Sequence, residues 1–179
     1  MLIVQSFLRI AGHDFSSVQF SFPPSIAKRI KKWGKDNIAD EDVFMEDDKY
    51  GREDDIHVTV KYGLHTADSR KADKVIREEG EFTVVTGKIS RFVPKDKDYD
   101  VVKIEVESPE LCSLHKLIGD NCENSDEHDT YRPHCTIAYV KKGCCAEISG
   151  SEDLSGIVFK VKELTFSSKT GEKTKISLR

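Results

Sequence analysis

The pattern of apolar and polar residues along the chain predicts short strands that alternate with amphipathic helices. Over residues 17–22 the two kinds of residue alternate, which predicts a strand with one buried face. Pro23 and Pro24 end this strand, and apolar side chains then recur at helical spacing, which predicts a helix. Trp33 lies on the apolar stripe of that helix. We therefore expect it in the core, with a base-stacking platform as the alternative.

The same alternation continues through the rest of the chain. It predicts further strands near residues 56–63, 82–92, 99–107, 134–139, 156–167 and 173–178, and further helices near residues 66–80 and 108–119. The last two strands are predicted to form a hairpin through a polar turn. Because strand, helix and strand recur in this order, the chain is predicted to adopt an α+β fold with an approximate internal repeat.

Two of these strands carry the same short motif. The sequences His57-Val58-Thr59-Val60 and His134-Cys135-Thr136-Ile137 both read His-x-Thr-apolar. Each lies in a run of apolar and β-branched residues, which favours a strand. A single His-x-Thr in a strand is common and usually carries no function, but two copies with similar flanks are a stronger signal.

Strict alternation of side chains along a strand assigns each motif residue to a face. The residues predicted to share the motif faces are His57, Thr59 and Lys61 in the first copy and His134, Thr136 and Ala138 in the second. If the two strands lie side by side, two imidazoles and two hydroxyls meet at one spot. That arrangement suits a phosphodiester, because one histidine can accept a proton, the other can donate one, and the hydroxyls can bind the phosphate oxygens.

With their flanks, the two motifs resemble those of the 2H phosphoesterase superfamily, which is also called LigT-like. The first motif continues as Lys-Tyr-Gly-Leu over residues 61–64, and the second follows Arg132 and Pro133. The resemblance implies a bilobal α+β fold, made of two strand–helix–strand halves, in which both motif strands line a central cleft. It also implies the catalytic residues, without assigning the acid and the base: His57, Thr59, His134 and Thr136.

The chain also looks like one branch of that superfamily, the viral phosphodiesterases that destroy the cyclic oligonucleotide signals of CBASS, a bacterial antiviral defence. This resemblance implies metal-independent hydrolysis of 3′–5′ bonds in a cyclic di- or trinucleotide, with no cofactor. The alternative substrate is a linear RNA end that carries a 2′,3′-cyclic phosphate. The candidates for substrate binding lie beside the motifs: Lys61, Tyr62, Arg132, Tyr139 and Lys141.

Composition narrows the class of partner. The chain has 179 residues, which suits one domain with its own core, and a net charge of −4. This charge argues against a protein that coats long nucleic acid, whereas a small anionic ligand needs only a local cationic pocket. No apolar run is long enough to span a membrane, and the apolar residues 1–10 are expected to be structural, not a secretion signal. The sequence does not indicate an oligomeric state.

A strongly acidic segment precedes the first motif. Residues 39–55 hold nine carboxylates and two basic side chains, and they are predicted to form a solvated loop. Their spacing does not match a calcium-binding loop. A lid beside the first motif is the alternative, in which case most carboxylates are expected to point away from a bound phosphate. Tyr50 is predicted to be a surface residue of this loop, with base stacking as its alternative role.

The five cysteines are odd in number and include no Cys-x-x-Cys, which suits a reducing cytoplasm, the host cytoplasm if the protein is viral. Cys135, inside the second motif, is predicted to pack as a small hydrophobic residue and not to act as a nucleophile. Two rivals to the enzyme remain. One is a zinc module in which Cys112, His115, Cys122 and His128 supply ligands, and the other is a binding protein that keeps the cleft without chemistry.

Overall fold

The computed structural model describes residues 14–46, 50–125 and 130–179. In this part the strands are β1 (Ser16–Ser21), β2 (His57–Leu64), β3 (Phe82–Phe92), β4 (Tyr99–Glu107), β5 (His134–Lys141), β6 (Val158–Val161), β7 (Glu163–Ser167) and β8 (Lys173–Ser177). The helices are α1 (Pro24–Asn37), α2 (Arg70–Ile76) and α3 (Pro109–Asn121), and a short 3-10 turn covers Asp40–Asp42. The segment 1–10, which we expected to be structural, lies outside the described residues. No helix in the described ranges has the length and apolar character needed to cross a bilayer.

The strands form two four-stranded antiparallel sheets, so the predicted α+β fold is confirmed. One sheet has the order β2-β1-β7-β8 and the other has the order β5-β4-β3-β6. The two motif strands, β2 and β5, are each the edge strand of their own sheet, and they contact one another. The internal repeat is therefore real: β1-α1-β2 and β4-α3-β5 have the same order and place the motif at equivalent edges.

The region predicted as one strand over residues 156–167 contains two strands that belong to different sheets. β6 pairs with β3, whereas β7 pairs with β1 and β8. Lys162 lies between them, at the point where the chain crosses from one sheet to the other. The prediction of a single strand was therefore wrong, while the predicted hairpin of β7 and β8 is confirmed.

The two connecting helices are exchanged between the halves. The helix α1 joins β1 to β2 but packs against β5, and α3 joins β4 to β5 but packs against β2. Trp33 of α1 is buried in the core, as predicted, and its indole N–H donates to the Asp153 carboxylate at 2.9 Å. Because each helix covers the motif strand of the other half, the exchange holds the two motif strands together.

A glycine allows α1 to approach β5 closely. A Cβ atom at Gly34 would lie 2.7 Å from Cγ2 of Ile137, which is the apolar residue of the second motif. Ordinary side chains do not approach so closely, so any residue larger than glycine at this position must displace the Ile137 side chain, the motif strand or the helix.

A β-bulge follows the motif threonine in β2. Thr59 pairs with Gln19 and Lys61 pairs with Val18, so Val60 is an extra residue on β2. Residues that pair across an antiparallel sheet have side chains on the same face, and a bulge reverses the alternation that follows it. Lys61 therefore lies on the buried face with Val18, opposite to Thr59, and the face predicted for Lys61 was wrong.

The second motif has a bulge at the same position. Thr136 pairs with Lys103 and Ala138 pairs with Val102, so Ile137 is the extra residue on β5. Ala138 and Val102 are both fully buried. The face predicted for Ala138 was therefore wrong, for the same reason as in the first copy.

The bulges also bring the tyrosines that follow the motifs onto the motif faces. Tyr139 pairs with Val101, which shares a face of β4 with Lys103, the partner of Thr136. Tyr62 follows the buried Lys61 and is 48% exposed. Strict alternation had assigned both tyrosines to the opposite face.

The acidic segment is held on the free edge of β5 by its backbone. The N–H of Phe44 donates to the carbonyl of Tyr139 at 3.0 Å, and the N–H of Tyr139 donates to the carbonyl of Gly51 at 2.8 Å. The N–H of Glu53 donates to the carbonyl of Ile137 at 2.8 Å. The segment thus covers an edge that would otherwise present unpaired backbone groups, in contrast to the solvated loop that we expected.

Several carboxylates of this segment point into solvent, as expected. The side chains of Asp40 and Asp54 are almost fully exposed, and Glu41 and Glu46 are exposed as well. Glu53 and Asp55 are partly buried, and they lie beside the second and the first motif respectively.

We expect Gly34→Ala to destabilise the protein, although alanine normally stabilises a helix by about 1 kcal/mol relative to glycine. The new methyl group would overlap Ile137, and overpacking of a core costs about 1–3 kcal/mol. Urea denaturation of the parent, the single variants Gly34→Ala and Ile137→Ala and the double variant measures the coupling. We expect the loss in free energy of unfolding in the double variant to be smaller than the sum of the losses in the two single variants. Losses that simply add would show that the two residues do not touch.

Candidate functional site

Two contacts join the motif strands directly. The hydroxyl of Tyr131, just before β5, donates to the carbonyl of Thr59 on β2 at 2.9 Å. The sulfur of Cys135 interacts with the backbone N–H of His57. The structure thus places the two strands side by side at the level of their motifs.

Each motif histidine is oriented by the backbone of the residue two positions before it. Nδ1 of His57 lies 2.5 Å from the carbonyl oxygen of Asp55, and Nδ1 of His134 lies 2.8 Å from the carbonyl oxygen of Arg132. Because a carbonyl oxygen only accepts, Nδ1 carries the proton in both rings. In the neutral tautomer Nε2 is then the basic atom of each ring.

The carboxylate of Asp55 is held in place beside the first histidine. Lys173 of β8 donates to it at 2.7 Å, and Gln19 of β1 also donates a hydrogen bond. Burial would raise the pKa of this carboxyl, but the bonds from Lys173 and Gln19 and the nearby charges outweigh it and lower the pKa. Asp55 is therefore ionised at neutral pH and fixes the chain segment whose carbonyl orients His57.

Each motif threonine has a long polar neighbour on the adjacent strand. Gln19 of β1 pairs with Thr59, and Lys103 of β4 pairs with Thr136. Gln19 is one of the polar residues in the alternating segment 17–22, opposite to its apolar face. Nothing in the sequence distinguished Lys103 from the other charged residues of its strand, because its proximity to the motif depends on the register between β4 and β5.

Lys61 lies away from the motif face. It is 6% exposed, and its Nζ is 3.4 Å from Nε2 of His115 on α3. These two residues border a pocket of about 300 Å³ that Gly119 and Asn124 also line. His115 donates from Nδ1 to the carbonyl of Val60 at 2.8 Å, so this group of residues closes the free edge of β2.

The other candidates for substrate binding lie on the two motif strands or just before β5. Arg132 and Lys141 are exposed at the two ends of β5. Tyr62 packs edge-on against Phe15 with ring centroids 5.9 Å apart. Tyr139 belongs to a group of aromatic rings that is described next.

Four aromatic side chains from the acidic segment, β4 and β5 form one group, called here the aromatic cluster. Its members are Phe44, Tyr50, Tyr99 and Tyr139, whose neighbouring ring centroids are 5.0–5.4 Å apart. Tyr99 shares a face of β4 with Lys103, so the cluster lies on the same side of its sheet as Thr136. Tyr50 is thus packed against three other rings, in contrast to the isolated surface residue that we expected.

The cysteines of the described residues have free thiols. Cys135 is 0% exposed, and burial raises the pKa of its thiol, so the thiol is protonated at neutral pH and packs as a hydrophobic group. Of the residues considered for zinc, Cys112 is exposed on α3, Cys122 is buried, and His128 lies outside the described residues. Within the described part of the chain, no group of three His, Cys, Asp or Glu side chains is placed to hold a metal ion.

We expect Asp55→Asn to lower the melting temperature at pH 7, because it removes the charge that Lys173 binds. A carboxyl whose folded pKa lies below the ordinary 3.8 stabilises the fold above that value and loses this contribution as the pH falls through the folded pKa. The difference between variant and parent should therefore vanish in strongly acidic buffer.

Thermal unfolding of both proteins from pH 7 down to pH 2 measures this difference. Asp54→Asn is the matched control, since the Asp54 side chain is fully exposed, and it should leave the melting temperature almost unchanged at every pH. A deficit in Asp55→Asn that persists unchanged below pH 3 would contradict the assigned role of the carboxylate.

Comparison with solved structures shows where this fold occurs. Escherichia coli LigT complexed with 3′-AMP matches at a TM-score of 0.63 with 16% identity, over 93% of this chain and 95% of that chain. Usb1 of Kluyveromyces marxianus with uridine monophosphate matches at 0.62 with 10% identity, over 92% and 99%. The protein TT0787 of Thermus thermophilus matches at 0.62 with 12% identity, over 92% and 98%. These likenesses concern the fold.

Sequence comparison gives a family but no individual relative. No curated protein sequence matches the chain. The model of the 2′-5′ RNA ligase superfamily matches residues 22–172, a range that contains both motifs, both helices that cover them and strands of both sheets. With the fold and the family model in agreement, the chain belongs to the 2′-5′ RNA ligase superfamily, the LigT-like group of 2H phosphoesterases.

Proposed function

We propose that the protein is a metal-independent phosphodiesterase that cleaves 3′–5′ bonds in a cyclic di- or trinucleotide. The observation that carries this proposal is the matched pair of motifs, in which His57 and His134 have the same Nδ1-to-carbonyl bond on two neighbouring strands. Two histidines in the same tautomer, each beside a threonine hydroxyl, supply a proton acceptor, a proton donor and two phosphate-binding groups.

The chemistry follows from these groups. Nε2 of one histidine accepts the proton of a ribose 2′-hydroxyl, whose oxygen attacks the adjacent phosphorus. Nε2–H of the other histidine donates its proton to the departing 5′-oxygen as the P–O5′ bond breaks. Thr59 and Thr136 donate to the non-bridging oxygens, on which negative charge develops. The resulting 2′,3′-cyclic phosphate is opened by water with the two histidines in reversed roles, so that each returns to its starting protonation state.

The surroundings of the motif favour a compact nucleotide over a long RNA. The aromatic cluster lies on the motif face of its sheet, and aromatic rings stack on bases of any sequence. Tyr139 pairs with Val101 and Thr136 pairs with Lys103. Val101 and Lys103 are two residues apart on β4, so the positions of Tyr139 and Thr136 are separated by about 7 Å along the sheet. That is close to the span between the base and the phosphate of one nucleotide.

Charge supports the same choice of substrate. The acidic segment lies along the edge of β5, with exposed carboxylates at Asp40, Glu41, Glu46 and Asp54. An extended RNA backbone that continued past this edge would meet like charge, whereas a cyclic di- or trinucleotide ends within the cleft. A linear RNA end with a 2′,3′-cyclic phosphate is the second candidate, because the same two histidines perform its hydrolysis.

A cyclic oligonucleotide of this kind is an intracellular signal, and its destruction would silence CBASS antiviral defence. We therefore propose that the protein acts in the cytoplasm as a viral countermeasure. The free thiols of all five cysteines are compatible with that reducing compartment. The chemistry proposed requires no metal and no further cofactor.

The test is hydrolysis of a panel of cyclic di- and trinucleotides in excess EDTA. The parent should cleave at least one of them, and His57→Ala and His134→Ala should each lower the turnover number by about 100-fold or more, because general acid and base catalysis each contribute about 10²–10⁴-fold. His65→Ala is the matched control. His65 is a histidine just beyond β2 that bonds Ser125 and stacks on Phe15, and its loss should leave turnover within about threefold.

The panel separates the possible functions. Turnover of a linear 2′,3′-cyclic phosphate alone would assign the protein to RNA ends. Cleavage that EDTA abolishes, or that survives both histidine substitutions, would overturn the two-histidine mechanism. Tight binding of a cyclic nucleotide without turnover would show a binding protein that retains the cleft.

A further inference from the structure

Lys103 is the only lysine on the motif face of β4, in the part of the chain that the structure describes, and it pairs directly with Thr136. Paired residues on an antiparallel sheet have Cβ atoms about 5 Å apart. Glu105, the next residue on this face, pairs with His134. Lys103 is therefore a cross-strand neighbour of the second motif, and its four-carbon chain is long enough for Nζ to reach an oxygen that Thr136 binds.

The environment of Lys103 is unfavourable for a cation in the absence of an anion. The side chain is half-buried, and it forms no ion pair or hydrogen bond with any other residue in the described ranges. Burial lowers the pKa of its ammonium group, Arg132 lowers it further, and Glu105 opposes both without forming an ion pair. Two like charges thus converge beside a catalytic motif, which is typical of sites that bind an anionic ligand.

A lysine that serves only solubility is normally found on the exposed surface, where water solvates its charge. Two exposed lysines of this sheet illustrate the difference. Lys160 pairs with Glu81 at 2.5 Å, and Lys88 pairs with Glu152 at 3.1 Å, and both are exposed. Lys103 lacks such a partner and is partly removed from water, so a bound anion would compensate its charge more than it would that of an exposed lysine.

We propose that Lys103 is a phosphate-binding catalytic residue, which contacts a non-bridging oxygen of the scissile phosphodiester beside Thr136. The proposal rests on the phosphodiesterase function proposed above and adds to it a fixed positive charge. That charge stabilises the transition state more than the ground state, since the attacked phosphorus carries one more negative charge than the diester.

The residue at the equivalent position in the first half makes the charge of the proposed site asymmetric. There the neighbour of the motif threonine is Gln19, which is neutral and donates to the Asp55 carboxylate. The internal repeat therefore supplies a cation on one side of the cleft and a neutral amide on the other. We infer that the scissile phosphate binds closer to β5 than to β2, with Lys103 and Arg132 on its anionic oxygens.

The experiment compares Lys103→Met, Lys103→Arg and Lys160→Met with the parent. Two measurements are made on each protein: the kcat and KM for hydrolysis of cyclic di-AMP and of 2′,3′-cyclic AMP, and the affinity for 3′-AMP by calorimetry. Methionine keeps the length and apolar part of the side chain, arginine restores the charge, and Lys160 is the matched control on the same sheet. Thermal unfolding detects any purely structural effect.

Loss of one preorganised donor to a developing oxyanion costs about 10²–10³-fold in rate. We therefore expect Lys103→Met to lower kcat by about 100-fold or more with a smaller rise in KM, and to weaken 3′-AMP binding by about 10-fold. Its melting temperature should be unchanged or higher, because an unpaired half-buried charge is removed. Lys103→Arg should recover most of the lost kcat, and Lys160→Met should match the parent.

The outcomes separate this proposal from the function on which it rests. If the histidine variants are inactive but Lys103→Met stays within about threefold of the parent in both measurements, the function stands and the role of Lys103 is wrong. If no diester is hydrolysed, the function is wrong for these substrates, and the 3′-AMP affinity alone decides whether Lys103 binds phosphate. A parent that does not bind 3′-AMP, or a variant whose only defect is a lower melting temperature, overturns the proposal.

Discussion

The contact between the two edge strands β2 and β5 is the constraint on which the candidate site depends. An edge strand presents unpaired backbone groups that need partners, and here those partners are supplied by side chains and by flanking segments. Tyr131 and His115 bond the carbonyls of Thr59 and Val60 on β2, while the acidic segment bonds β5. With both edges closed in this way, the strands lie beside one another without forming one continuous sheet.

The bulges and the exchanged helices make this contact specific. A bulge bends its strand and redirects the side chains beyond it, which explains why bulges occur beside active sites. Here each bulge places the residue after it, Lys61 or Ala138, on the buried face and leaves the motif histidine and threonine on the opposite face. Gly34 then lets α1 pack onto Ile137, so the bulge of one half is supported by the helix of the other.

The sequence predicted the elements, the repeat and the motif strands, because these depend on local periodicity. It could not show the bulges, since residues 57–61 alternate without interruption and only the register with β1 reveals the extra residue. For the same reason the periodicity did not divide β6 from β7, which differ in the sheet that each joins. Lys103 was not distinguishable from Glu105 or Glu107 along its strand, because what sets it apart is its pairing with Thr136 across the sheet.

The distribution of charge supports the proposal that this acidic protein binds a small anion. Exposed carboxylates of the acidic segment lie along the edge of β5, while Lys103 and Arg132 lie beside the second motif. A field of this kind repels a long polyanion and admits a small one whose charge fits the cationic position. In the proposed site, the aromatic cluster would stack on a base while Lys103 binds the phosphate of the same nucleotide. Together the two features favour a ligand of the size of a small nucleotide.

The most direct test of proton transfer by His57 and His134 is the pH dependence of kcat/KM for the cleaved nucleotide in the presence of EDTA. A mechanism in which one histidine must be neutral and the other protonated gives a bell-shaped profile, because activity is lost when the base is protonated and when the acid is deprotonated. We expect this bell-shaped profile for the parent protein. A profile with a single limb, or a rate that does not vary between pH 5 and pH 9, would contradict proton transfer by a pair of histidines.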